Sequence, residues 1–291
     1  MKMADAGETA SSDVLFERNG RVATVILNAP ERLNALSNSM MKKIGDAMQE
    51  YEADDSVHVV VFRGAGRALC SGSEVVEIAD LYHEVGAHTD RRELNKLAMW
   101  FQRNIWEFAK PTVLEVKGYC YGGANLFLAF CDLVVAADDA LMGPNENRGM
   151  ALDPSMALWT LTMGIRRTKA LFLTGDTIDG KKAEEYGLVN KSVPADELEA
   201  YVDWLAQKIA KTDLSLLSLL KQGANMVYDV MGAYPMFKAN VMFDHMAHMD
   251  SKFGETLNRV KRDGPRAAFE WVYGENDEPT FLEGPPKKKA D

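Results

Sequence analysis

Two short stretches of this sequence put small residues where a strand gives way to a helix: Leu69-Cys70-Ser71-Gly72-Ser73-Glu74 and Tyr121-Gly122-Gly123-Ala124-Asn125. Small side chains let a ligand approach the main chain, and a helix start leaves backbone N–H groups without partners. If the two loops lie side by side, one N–H from each can hold a single oxygen atom. That is an oxyanion hole, in which each donor contributes about 3–4 kcal/mol of transition-state stabilisation. Spacing alone leaves a second reading open, in which both are ordinary tight turns. The turn after Gly123 holds Ala124, Asn125 and Leu126 and no acid, base or nucleophile. Any group that moves a proton must therefore come from another segment.

Other chemistry is weaker. His245 and His248 have helical spacing and are flanked by Asp244 and Asp250, but no third metal-ligand motif accompanies them, so no metal is expected. Gly64 and Gly66 are followed by Leu69 where a dinucleotide fingerprint needs its third glycine. Cys70, Cys120 and Cys131 sit in apolar surroundings without CxxC spacing and read as reduced, partly buried thiols. Cys70 has no basic partner in sequence that would make it a nucleophile. The chain has 291 residues and a net charge of -10, from 43 acidic and 33 basic residues. That balance disfavours nucleic-acid partners, which are held by clustered Lys and Arg. No apolar run reaches the ~18 residues of a membrane span, and the N-terminus lacks the apolar core of a secretory signal. A cytoplasmic protein with no membrane partner is expected.

The elements that would position the two loops follow from patterning. Runs on either side of Asn19-Gly20 predict a tight hairpin. Ser37 caps a helix with Met40, Ile44, Met48 and Tyr51 on one face. VHVVVFRG is a buried strand, and a short helix starts at Glu74. Arg91–Lys110 predicts a long amphipathic helix with Leu94, Leu97, Phe101, Ile105 and Phe108 inward. TVLEVKG and DLVVAA are strands on either side of the helix opened by Gly122. The first half is thus α/β, and from about Pro154 helices dominate. Met236, Met242, Met246 and Met249 share a helix face that reads as packing, or else as an oligomer contact. Residues 1–12 are expected to form a disordered arm, 13–205 a core, 206–275 a helical region and 276–291 a flexible tail.

Several of these segments, in this order, resemble the crotonase superfamily, also called the enoyl-CoA hydratase/isomerase family. They are NAPERLNALS, VVVFRGAGRALCSGSEVVEI, KPTVLEVKGYCYGGANLFLAFCDLVVAADDALMG and LTGDTIDGKKAEEYGLVNKSVP, and the likeness covers roughly Val14 to Val230. It implies an α/β fold made of a spiral of β-β-α units, with a C-terminal helical region that makes trimers, often paired into hexamers. It also implies a coenzyme A thioester as substrate, with no cofactor beyond the coenzyme A that the substrate carries.

Carried over by motif, the oxyanion donors are the N–H groups of Ser73 and Gly123. The carbonyls around Ala68 and Ser71 would face adenine. Arg32 would lie near the CoA phosphates, and Gly72, Gly122, Tyr121 and Leu126 would line the substrate. Family hydratases use two carboxylates, one in the first turn after the glycines and one about twenty residues later. Here the first position is Leu126. The second falls in MGPNENRGMALDP, where Glu146 is the better base and Asn145 its rival. Asp153 matches a carboxylate of the dienoyl-CoA isomerases. Lacking the first glutamate, and with GYCYGG, the chain also resembles hydroxycinnamoyl-CoA hydratase-lyases. The expected function is hydration of a bulky or aromatic enoyl-CoA. The alternatives are double-bond isomerisation, C–C cleavage, or an acyl-CoA-binding protein without turnover.

Overall fold

The computed structural model describes residues 12–82, 86–144, 147, 151–274 and 280–283. Two strands, β1 (Val14–Asn19) and β2 (Val22–Leu27), form the expected hairpin, with Asn19 paired to Val22 across Gly20. Gly20 adopts φ 61°, a left-handed conformation that glycine takes without steric cost. Helix α1 (Asn38–Ala53) follows, its first turn capped by Ser37, whose side chain accepts from Met40 N–H at 3.2 Å. Strand β3 (Val59–Gly64) and helices α2 (Val75–Tyr82) and α3 (Ala87–Phe101) come next. The chain continues through β4 (Thr112–Val116), β5 (Tyr119–Tyr121), α4 (Ala124–Phe130), β6 (Leu133–Ala137) and β7 (Leu141–Gly143).

The second half holds α5 (Met156–Met163), α6 (Ile165–Thr174), α7 (Gly180–Tyr186), strand β8 (Lys191–Val193) and α8 (Leu198–Ile209). It ends in α9 (Leu214–Val230), α10 (Ala233–His248), α11 (Ser251–Asp263) and α12 (Pro265–Tyr273). Among the described residues one sheet runs β1-β2-β3-β4-β6-β8, antiparallel only at β1–β2. Its inner strands β3 and β4 are buried throughout, as parallel strands covered on both faces must be. Helix α8 packs on β3, β4 and β6, so the expected boundary at 205–206 falls within a helix that covers the sheet.

A second, smaller layer positions the two loops. β5 pairs in parallel with β7. Single bridges Cys70–Cys120 and Met142–Ile178 extend this pair on both sides. Each turn of the chain thus adds a long strand to the large sheet and a short one to the small layer, which is the expected spiral. The arrangement differs from expectation in three places. The long helix ends at Phe101 and continues as one π-helical turn, Gln102–Trp106, in which an extra residue per turn carries Ile105 into the core. β8 interrupts the helical half. Met236, Met242 and Met246 of α10 and Met249 just beyond it are exposed in this chain, Met246 by 64%, so they do not pack into its core. The expected arm and tail lie outside the described residues, apart from Ser12 and Thr280–Glu283, where Phe281 N–H donates to Asp176 at 2.9 Å.

Candidate active site

The bridge between Cys70 and Cys120 sets the register of the two loops. Three residues beyond it on each chain lie Ser73 and Gly123. The approach is close: a Cβ on Gly123 would stand 2.6 Å from Ser73 Oγ and 3.3 Å from Ser73 N. A Cβ on Gly72 would stand 3.1 Å from the Tyr121 carbonyl and 3.4 Å from Gly123 N. Gly72 and Gly122 have φ 112° and 54°, so both turns also need glycine for conformation. On its far side the first loop is fixed to Leu36. The Gly72 carbonyl accepts from Leu36 N–H at 2.8 Å, and Glu74 N–H donates to the Leu36 carbonyl at 2.9 Å. Alternation along an extended chain turns Ser73 N–H the other way, toward Gly123. Neither the Ser73 nor the Gly123 N–H has an acceptor among the described residues. Two such donors side by side can share one oxygen.

The loop that leads to Ser73 is held by Asn34, which is fully buried at φ 55°. Its Oδ1 accepts from Ala29 N–H at 2.8 Å, and its Nδ2 donates to the Ala65 and Ala68 carbonyls, both at 2.9 Å. The Ala68 carbonyl, expected toward adenine, is therefore turned to Asn34, and Ala68 itself is buried. Ser71 N–H donates to Leu33 O at 2.9 Å. Arg32 is ion-paired with Glu74 at 2.8 Å, with 30% of its side chain exposed. Cys70 is buried, and burial pushes its thiol up to about 12, which suits packing and not nucleophilic attack.

On the second loop, Leu126 is 2% exposed and belongs to the main core. The Tyr121 ring lies 5.3 Å from that of Tyr119, tilted by 37°, and burial raises its phenol. Asn125, fully buried in the same turn, donates to the Gly143 carbonyl at 3.1 Å and to Asp153 Oδ2 at 2.6 Å. Asp153 is 1% exposed. Its Oδ1 accepts from Ser155 N–H at 2.8 Å at the start of α5, and its own N–H donates to Asn147 Oδ1 at 2.9 Å. A buried carboxylate is thus joined through Asn125 to the helical turn that Gly123 opens. Glu146 and its rival Asn145 lie outside the described residues.

Sequence reasoning passed over Asn34 and the bond from Asn125 to Asp153. The signal for Asn34 was a polar residue between apolar neighbours in RLNALS; nothing in the spacing of 125 and 153 announces their contact. His245 and His248 both direct Nδ1 at Asp90, at 2.6 and 2.9 Å, and no group that could hold a metal ion occurs among the described residues.

The family model described as "Enoyl-CoA hydratase/isomerase" matches residues 17–263. A probable enoyl-CoA hydratase of Mycobacterium bovis is 31% identical over 218 residues, 74% of this chain and 82% of that protein. Hydroxycinnamoyl-CoA hydratase-lyase of Pseudomonas fluorescens is 34% identical over 218 residues, 72% and 77% of the two chains. The crystal structure of an enoyl-CoA hydratase/isomerase from Xanthobacter autotrophicus Py2 superposes with a TM-score of 0.83 at 30% identity, covering 90% of this chain and 97% of that one.

Proposed function

Because the chain belongs to the enoyl-CoA hydratase/isomerase family, we propose that it hydrates, or hydrates and cleaves, a bulky or aromatic 2-enoyl-CoA. The adjacent Ser73 and Gly123 amides carry this reading. They would hold the thioester oxygen while negative charge gathers on it, so that water can add at the β-carbon and leave an enolate. Hydrogen bonds to an oxygen that gains charge are stronger in the transition state than in the ground state, which is what accelerates a reaction. Glu146 or Asp153 would then exchange the proton at the α-carbon. If a base then takes the β-hydroxyl proton, the Cα–Cβ bond can break to release an aldehyde and the enolate of the shortened acyl-CoA, whose oxygen the same two amides would hold. Leu126 puts a buried apolar side chain where family hydratases carry their first carboxylate, as expected of a hydratase-lyase. The likeness to a hydroxycinnamoyl-CoA hydratase-lyase points the same way.

The buried Asp153, bonded to the first turn of α4, favours one second reading, a double-bond isomerase that shuttles a single proton. The CoA moiety would lie along Arg32, Ser71, Gly72 and Gly122, with no further cofactor. The exposed apolar residues of α9 and α10 would be covered in a homotrimer or homohexamer.

Proton NMR in heavy water over a panel of aliphatic and aromatic acyl- and enoyl-CoA thioesters tests the reading. Exchange of the α-proton together with a hydrated or cleaved aromatic product supports it. A shifted double bond selects the isomerase. Binding without exchange across the panel would reject catalysis in favour of an acyl-CoA-binding protein.

A further inference from the structure

Away from the amide pair, α3 and α10 bring four ionisable side chains together. Asp90 on α3 meets His245 Nδ1 at 2.6 Å and His248 Nδ1 at 2.9 Å. The other nitrogen of His248, Nε2, lies 3.4 Å from Asp244 Oδ1. That oxygen also accepts from Leu152 N–H at 3.1 Å, one residue before Asp153. One turn earlier on α10, Asn240 Nδ2 donates to the Pro154 carbonyl at 3.4 Å. Helix α10 therefore holds the main chain on both sides of Asp153.

We propose that Asp244 is a positioning residue: its charge sets the grip on Leu152–Pro154 and hence the seating of Asp153, so that turnover follows the protonation of the Asp90–His248–Asp244 chain. The inference rests on Asp153 and the two amides belonging to the active site. An ionised carboxylate accepts a hydrogen bond more strongly than its neutral acid. Burial pushes Asp244 up to about 7, against the charge of His248 and the Leu152 N–H, and the charges of Asp153 and Asp90 raise it further. At His248, burial favours the neutral ring, but the Asp90 bond and the charges of Asp244 and Asp90 outweigh it and raise the imidazole. The other elements packed on α10 add little charge. α5 carries no ionisable side chain, α11 presents Phe253 stacked on His248 at 4.0 Å, and among the described residues no ion pair joins α9 to the cluster. Above about 7 the grip is charged and strong, and below it the grip is neutral and weaker.

The test compares the full-length wild type with Asp244→Asn, which keeps an oxygen for Leu152 N–H but cannot ionise. Two readouts run across the neutral range: kcat on the thioester the wild type turns over, and the Leu152 amide resonance. Misplacement of a reacting group by about 1 Å can cost about 100-fold, so for a smaller shift a wild-type fall in kcat of about ten-fold toward acid pH is expected. KM should stay within about two-fold. Asp244→Asn should be flat at the acid-limb level with its melting temperature kept. The Leu152 resonance should titrate in the wild type and not in the variant. His248→Gln, which removes the cation that favours the carboxylate, should move the midpoint upward. Superimposable kcat profiles, or a Leu152 amide that does not titrate, would overturn the proposal. If the wild type turns over no thioester, the functional reading fails separately and the Leu152 titration alone decides whether Asp244 controls the loop.

Discussion

At the scale of single residues, the site depends on what is missing from Gly123. Its φ of -54° suits any residue, so the requirement is steric and not conformational. A methyl group there would lie 2.6 Å from Ser73 Oγ and crowd the two N–H groups. Gly123→Ala should therefore lower kcat by at least about 100-fold, the loss seen when one oxyanion donor goes, while circular dichroism melting changes little. The base is tested by Glu146→Gln and Asp153→Asn. Whichever is the base should lose kcat by about 100-fold or more with CoA affinity kept, as measured by calorimetry. Unchanged turnover in Glu146→Gln would move Asp153 to the front. The two glycine-bearing loops were legible in the sequence as strand-to-helix turns, but spacing left ordinary tight turns open, and it was the family resemblance that singled out Ser73 and Gly123. The surroundings of Asp153 were not: Asn125 and Asp153 are 28 residues apart, and Leu152 and Asp244 are 92 apart.

At the scale of elements, local patterns were read well where they were long. The Asn19-Gly20 hairpin and the Ser37 cap stand at the positions their chemistry predicts. The small layer was invisible, because three-residue strands and single bridges carry no periodicity, yet it is this layer that registers the loops. The loop ahead of Ser73 depends on Asn34. Asn34→Ala would leave Ala29 N–H and the Ala65 and Ala68 carbonyls without their partner. A buried polar group left unsatisfied costs about 1–3 kcal/mol, so a loss of about 3 kcal/mol by urea denaturation is expected, with kcat reduced as Ser73 loosens.

At the scale of the molecule, the helical region turns a broad apolar face outward. Leu219, Leu220 and Val230 of α9 and Phe243 and Met246 of α10 are all more than half exposed in the single chain. Apolar side chains exposed to this extent are what an interface between copies would cover. Leu220→Glu with Met246→Glu should shift the assembly toward monomer in size-exclusion chromatography with light scattering. The pH dependence of stability belongs to the same scale. Because His248 is raised in the fold, its contribution is complete below the free imidazole value of 6.5 and is lost as pH rises through its higher folded value. The melting temperature should therefore decline from neutral to alkaline pH, and His248→Gln should flatten that decline. The spiral also has an evolutionary consequence. Both proposed oxygen-binding donors are main-chain atoms seated by strand pairing several residues away. Away from Gly72, Gly122 and Gly123, a side-chain exchange leaves the N–H in place, and only proline erases one. A lineage can thus place an apolar residue such as Leu126 where an acid would stand, or recruit a new base from another loop, without dismantling the two amides proposed to hold the oxygen. New reactions become accessible one mutation at a time.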